Sequence, residues 1–491
     1  MDKGLTKNEI ITLLTRSEHS GKKVSVLSAY SPTVKKAAVE EPEFLAHLIA
    51  YNDKHGSIRD SKIALPMCSL TVWESGEFAD NSLAHLTKLD PISMTRAIYF
   101  SKEIRPFKSK RLVRLVEAYL REREKSRKWW DATVLQHRKS MKTLYALCHI
   151  KPAARANRIL FENNYKAGEV FATVKRLKDM TNEDAASAIL NENIPFQIAI
   201  GALGAKAKDS NVVLALIEKM TPNQLVNNAK MLERLGVKTD PVLRSAYESG
   251  LQRVAAAPKA NVFKTTRAAE AVSGPLKEKL KAAQEKQIES MGKVKGRWLV
   301  LGDRSGSMAN CIEASREIAS TLARVAEDDV WLVFFDTSPA KVINARGKTY
   351  DEILKETKNV NANGGTSIGC GLQYILDKGI EVDGIAIASD GAEHSPPYFV
   401  SVYTQYCKKF DKGVPVYFYD LPGEPNYNLV NSMKQAGFDM QIFDMRGKTD
   451  YYALPNLIQT MSVQRYGLVD KIMETPLVHV RDVIKSWEEI I

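Results

Sequence analysis

One stretch constrains the fold of this chain more than any other: Trp298-Leu299-Val300-Leu301-Gly302-Asp303-Arg304-Ser305-Gly306-Ser307-Met308. An uninterrupted apolar run of this length reads as a strand buried on both faces. It stops at a carboxylate, and two hydroxyls follow at alternate positions, Ser305 and Ser307. A helical pattern begins at once, from Met308 to about Ala326. Asp-x-Ser-x-Ser at a strand end sets three oxygen side chains on one tight loop, the donor type that hard cations such as Mg²⁺ prefer.

The residues beyond it repeat this alternation. Strands are expected at Trp298–Leu301, Asp329–Phe335, Ile385–Ala388, Val416–Tyr419 and Met440–Phe443, with a short antiparallel edge at Ala340–Ala345. Helices are expected at Ile312–Ala326, Ile368–Gly379, Tyr398–Phe410 and Leu429–Ala436. Alternating β and α elements imply a mostly parallel sheet covered on both faces, with ligands bound beyond the carboxyl ends of its strands. Two further loops fall at that edge. Asn363-Gly364-Gly365-Thr366-Ser367 offers close backbone approach and the Thr366 hydroxyl, and Ser389-Asp390-Gly391 offers a second carboxylate. The three loops in this order resemble the metal-ion-dependent adhesion site of von Willebrand factor A domains. The resemblance makes Asp303, Ser305, Ser307, Thr366 and Asp390 the metal-ligating set. It implies a divalent ion, Mg²⁺ first and Mn²⁺ or Ca²⁺ as alternatives, with an open position for an acidic group from a partner.

Charge divides the chain. Of the net +12 over 491 residues, the part up to Val300 carries +19 and the remainder −7. A basic region of that size points to a polyanion, most often nucleic acid. Five scattered cysteines without C-x-x-C spacing argue against a disulfide framework or a zinc site and for a reducing compartment. No apolar run approaches the roughly 18 residues that span a bilayer. No hydrophobic signal region follows Met1-Asp2-Lys3-Gly4. The expected location is the cytoplasm.

The basic part reads as helix after helix to about Gly292. Asp184–Asn191, Pro195–Leu203, Asn211–Met220, Val226–Leu235 and Pro241–Leu251 follow one another across short polar breaks. Thr181-x-x-Asp184 and Thr221-Pro222 supply helix starts. Short connections between amphipathic helices imply a degenerate helical-repeat solenoid. From Val254 to about Lys295 the pattern reads as a connector, with a charged helical pattern from Leu276 to Met291 leading to the strand. Between Ser101 and Ile150 there are 14 Lys and Arg against 5 Asp and Glu. Taken as one helix, Pro106–Lys128 sets Leu112, Leu115, Val116 and Tyr119 on one face. Arg111, Arg114, Arg121, Lys125 and Lys128 then fall on the other. Trp129-Trp130 and then Arg138, Lys139 and Lys142 continue the run. Cations neutralise phosphates and rings stack on unpaired bases, so these eight basic residues are the candidate RNA contacts.

A basic helical body followed by a metal-loop α/β domain resembles the TROVE/Ro ribonucleoprotein family. Leu144–Pro152, Ile194-Pro195-Phe196 and Lys219-Met220-Thr221-Pro222 look like that family's helix junctions. The resemblance implies a HEAT-like all-α ring or solenoid over 1–292 and a von Willebrand factor A (Rossmann-like) domain over 293–491. It also implies a monomer that binds Y-like noncoding RNAs and the single-stranded 3′ ends of misfolded RNAs, with an exoribonuclease or another protein as a further partner. Met141 stands where the family carries a histidine, just before the lysine that aligns with Lys142. Two other functions compete: a metal-dependent protein-interaction adaptor, and a metal-dependent nuclease built on Asp303 and Asp390. The chain lacks G-x-x-x-x-G-K-[ST], H-E-x-x-H and G-x-S-x-G, so no enzyme is expected.

Overall fold

A computed structural model describes residues 7–14, 23–56, 58–104, 110–256, 262–289, 293–423, 428–445, 461 and 467–484. Helices fill the first part of the chain, and a six-stranded sheet interleaved with helices fills the second, the architecture expected from the sequence. The contacts gather the described residues into two compact units. One unit takes those of 1–85 together with 291–478; the other takes those of 86–290 and a short segment from His479.

The sheet lies in the first unit. Its strands are β1 (Trp298–Asp303), β2 (Val330–Phe335), β3 (Pro339–Asn344), β4 (Gly384–Ser389), β5 (Val416–Asp420) and β6 (Gln441–Asp444). Their spatial order is β3-β2-β1-β4-β5-β6, parallel throughout except for the antiparallel β2–β3 edge. Every residue of β1, β4 and β5 is buried, as the unbroken apolar runs require. The chain runs outward from β1 to β3, then crosses back to β4, so the strand order reverses between β1 and β4. That switch point is where an open α/β sheet leaves its ligand crevice. Gly302 lets the helix Ala309–Val325 seat closely on β1. A Cβ there would stand 2.5 Å from the Ser315 hydroxyl and 2.8 Å from the Phe334 ring.

The periodicity did not mark the helix Tyr350–Thr357. It starts at a reciprocal capping box: Glu352 N donates to the Thr349 hydroxyl, and Thr349 N donates to the Glu352 carboxylate at 2.8 Å. Buried Arg316 ties its last turn down, donating to the Thr357 hydroxyl at 2.8 Å and to its carbonyl at 2.7 Å.

The division expected at 292/293 is not how the contacts group the first helices. The described residues of 1–85 pack within the sheet's unit. Buried Asn81 accepts a hydrogen bond from Val478 N at 3.0 Å, His47 Nδ1 meets the Thr475 carbonyl at 2.7 Å, and Lys434 pairs with Glu9 at 2.5 Å. Composition marks these helices as helical and amphipathic, but it does not say which distant segment completes their core.

In the second unit the helices follow closely, and three expectations are corrected. The basic segment is two helices, Lys110–Lys125 and Arg127–Cys148, with Ser126 as the N-cap of the second; residues 106–109 lie outside the described residues. Val226–Leu235 is not one helix: Pro222–Asn227 ends at Asn228, Ala229–Leu232 follows, and a wider turn runs over Glu233–Val237 with Gly236 at φ +103°. The helix expected from Leu276 is there, as Pro275–Glu289, but it is packed rather than a free connector, burying Leu276, Leu280 and Ala283 in one core with Leu225, Tyr247 and Leu251. A charged composition hid an apolar stripe there.

Candidate functional site

Asp303, the last residue of β1, is fully buried. Its Oδ1 accepts from Ser305 N at 2.8 Å, which folds the loop back on the strand end. Its Oδ2 accepts from the Ser389 hydroxyl at 2.6 Å, which joins β1 to β4 across the switch point. Asp390 follows Ser389 directly, is 3% exposed, and accepts from Ala392 N at 3.0 Å. Gly423 presses against the Asp390 carboxylate; a Cβ at that position would overlap it, so only glycine leaves room there.

The middle loop is pinned to both others. Asn363 N donates to the Arg304 carbonyl at 2.7 Å, and Gly306 N to the Gly364 carbonyl at 3.2 Å. Arg304 pairs with Asp336 through Nε at 3.0 Å and Nη2 at 2.5 Å, and Ser367 N donates to the Asp336 carbonyl at 2.7 Å. The Thr366 carbonyl accepts from His394 N and Ser395 N, both at 3.0 Å, and brings in the segment after Asp390. Ser305 and Thr366 are buried, whereas Ser307 is exposed on the same loop. The three predicted loops therefore share one edge of the sheet.

Burial, with the negative charge of Asp390 added, pushes the Asp303 carboxyl up to about 6. Its hydrogen-bond donors, Ser389 and Ser305, are neutral. Two buried carboxylates that repel each other, surrounded by hydroxyls, are a donor set that fits a hard divalent cation. Among the described residues no group of three or more His, Cys, Asp or Glu side chains gathers as a metal cluster, so a cation at this edge draws on hydroxyl oxygens as well. Nearby, Glu393 is buried at the start of two helices, accepting from Gly369 N at 2.9 Å and Phe399 N at 2.8 Å. Burial pushes its carboxyl up to about 7 against those amides.

The eight basic candidates separate into two kinds. Arg114, Lys125, Lys128 and Lys139 are exposed, and Arg111, Arg121, Arg138 and Lys142 are half-buried. Arg121 pairs with Glu124 at 3.0 Å and Glu117 at 3.5 Å, and donates to the Lys151 carbonyl at 2.8 Å. Lys125 pairs with Glu122 at 3.0 Å. Arg138 donates to the Ile159 and Leu160 carbonyls and to Asn163, capping the carboxyl end of the helix Ala154–Leu160. A cation at a helix carboxyl end meets the negative pole of its dipole, so Arg138 has structural work there. The single stripe also breaks at Ser126, which puts Lys128 on the next helix. The tryptophans divide too: Trp130 is 2% exposed and Trp129 45%, its ring 4.5 Å from buried Arg123.

No family model matches the chain, and no curated protein matches it in sequence. In three dimensions it is similar to the crystal structure of the Ro (RSR) protein of Deinococcus radiodurans. The TM-score is 0.64 at 13% identity, over 92% of this chain and 100% of that one. The fold is that of a Ro protein. The Ro fold extends over both halves, although fewer than one residue in seven is shared. Sequence reading missed several residues that support the basic face of this Ro fold. Glu169 is buried and held by Arg158 at 2.6 and 3.1 Å, by Arg155 at 3.4 Å and by Lys166 N at 2.8 Å. Arg158's hydrogen bond is foremost in drawing its carboxyl down to about 2. Arg155 also grips Asp131 at 2.7 and 2.9 Å. No local pattern joins residues 131, 155, 158 and 169; only the packing of three helices does.

Proposed function

We propose that this chain is an RNA-binding scaffold of the Ro type, not an enzyme. It would bind small noncoding, Y-like RNAs and the single-stranded 3′ ends of misfolded RNAs in the service of RNA quality control. The observation that carries this reading is a Ro fold over 92% of the chain, joined to an excess of +19 in its first 300 residues. RNA phosphates meet the exposed cations Arg114, Lys128 and Lys139, and the half-buried Arg111 and Lys142 lie on the same two helices. A divalent ion, Mg²⁺ first, is held by Asp303, Ser305, Ser307, Thr366 and Asp390, where it offers a partner's acidic group a site or fixes the loops. An exoribonuclease or another protein would join through the RNA or through this face. The protein acts as a monomer in the cytoplasm, and its five cysteines are free thiols. Among the described residues no helix is long and apolar enough to cross a membrane.

Filter binding tests the RNA reading. Affinity for a hairpin RNA with a single-stranded tail should fall by orders of magnitude between about 50 and 200 mM salt, because bound cations are released from the phosphates. Absence of binding at the lower salt, with tailed and untailed RNA alike, would sink it. The convergence of three loops on Asp303 favours one second reading, a metal-dependent protein adaptor. Capture of a partner that needs Mg²⁺ and fails with Asp303→Ala, from a protein that binds no RNA, would put that reading first.

A further inference from the structure

Two aromatic rings stand among the cations beyond the helix Arg127–Cys148. Phe161, which ends the helix Ala154–Leu160, is 40% exposed. Lys142 Nζ lies 5.5 Å from its ring centroid, and Tyr145 meets it edge-on at 6.4 Å. Tyr165 stacks on Phe171, with centroids 5.5 Å apart and planes at 27°. Lys175 Nζ is 4.5 Å from the Tyr165 centroid and the Arg138 guanidinium 5.7 Å. Lys139, Lys166, Lys175, Arg176 and Lys178 are all exposed nearby in the chain.

The segment bearing the rings is braced from below. Arg138 holds the Ile159 and Leu160 carbonyls and Asn163, while Arg158 Nη1 donates to the Asn164 carbonyl at 2.7 Å. Its acids are occupied: Glu169 is buried between Arg158 and Arg155, and Glu162 accepts from Asn157 at 2.6 Å. A large ring left 40% exposed on a fixed loop forgoes burial it could have had in the core. Rings ringed by cations suit a ligand that presents flat π-faces and phosphates in alternation. Unpaired nucleotides do so; in a duplex the base faces are hidden.

We propose that Phe161 and Tyr165 form a base-stacking site for unpaired RNA nucleotides, with Lys139, Lys142 and Lys175 taking the flanking phosphates. The proposal rests on the RNA-binding reading above and narrows it to single-stranded segments at a named place. Fluorescence anisotropy of the full chain with a 3′-tailed hairpin and with the same hairpin made blunt separates the two. Phe161→Leu keeps apolar bulk against Tyr145 and removes the π-face. It should weaken binding of the tailed RNA about tenfold, leave the blunt hairpin unchanged and leave the salt slope unchanged. Lys142→Ala and Lys175→Ala should instead lower the slope by about 1 each. Abasic residues in the tail should weaken the wild type at least as much as Phe161→Leu does, and should weaken Phe161→Leu by less than they weaken the wild type, since only the Tyr165 ring is left to lose. Tyr165→Phe, which keeps the ring on Phe171, should bind like the wild type. If the wild type binds the tailed RNA and Phe161→Leu binds it equally well, the stacking site is overturned while RNA binding stands. If the wild type binds neither RNA at low salt, both fall together.

Discussion

The two candidate sites are built in opposite ways. At the sheet edge, four of the five proposed ligands are buried and three loops are tied to one another through backbone hydrogen bonds. On the basic helices the candidates lie at the surface, and ion pairs already engage some of them. A site made of buried groups must be prearranged, because each group left unsatisfied costs free energy. A site made of surface cations needs only a sum of charge, so any one residue is replaceable. Its members are distinguished by what else holds them: Arg121 and Arg138 brace the fold, whereas Arg114, Lys128 and Lys139 face solvent.

Substitutions can break that contrast, and the largest effect is expected beneath the basic face. Glu169→Ala leaves Arg155 and Arg158 without their shared carboxylate and should cost about 3 kcal/mol, read by urea unfolding. The wild type carries the matching pH signature. The Glu169 carboxyl is drawn below its ordinary range, so its contribution is complete above about pH 4.5 and is lost as pH falls toward 2. Glu169→Ala should lack that acid-side loss; an identical acid limb in both proteins would remove Glu169 from the account.

Next in size is a triple charge reversal, Arg114→Glu, Lys128→Glu and Lys139→Glu. RNA affinity should drop at least tenfold and the salt slope should become shallower, with the helical circular dichroism unchanged. Unchanged binding would move the RNA site away from these helices. For the sheet edge, saturating Mg²⁺ should raise the thermal midpoint by roughly 5 °C, and Asp303→Ala should abolish the response. Equal midpoints with Mg²⁺ and with chelator would remove the ion from the proposal. The smallest effect sharpens the division within the basic set. Arg121→Ala should lower stability by about 0.5–1 kcal/mol, whereas Arg114→Ala should stay within about 0.5 kcal/mol of the wild type.

The sheet was legible because buried parallel strands are continuous apolar runs and their loops carry fixed chemistry. The order of the motifs along the chain is enough to put Asp303, Thr366 and Asp390 on one edge. The antiparallel β3 was legible too, since it follows β2 within a few residues. The helix Tyr350–Thr357 was not: Ile353 is its one buried apolar residue, so no apolar stripe stands out, and its local mark is the pair Thr349 and Glu352. On the basic side, helical wheels sort residues into faces but say nothing of what lies opposite. Phe161, Tyr165 and Glu169 sit in short segments with no period, and their roles come from packing against other helices. The destination of residues 1–85 was beyond reach for the same reason, since their partners lie hundreds of positions downstream.

That last arrangement has a consequence for synthesis. Val478 comes 397 residues after Asn81, the side chain it completes. At about 5–20 residues per second, the interval is about 20–80 s. Throughout it, the helix Pro42–His55, with Phe44, Leu45, Leu48 and Ile49 on its inner face, waits without the tail segment it meets in the finished protein. These helices are made hundreds of positions before the segment that covers them, so a nascent chain arrested in between would present an uncovered apolar face to the cell's chaperones.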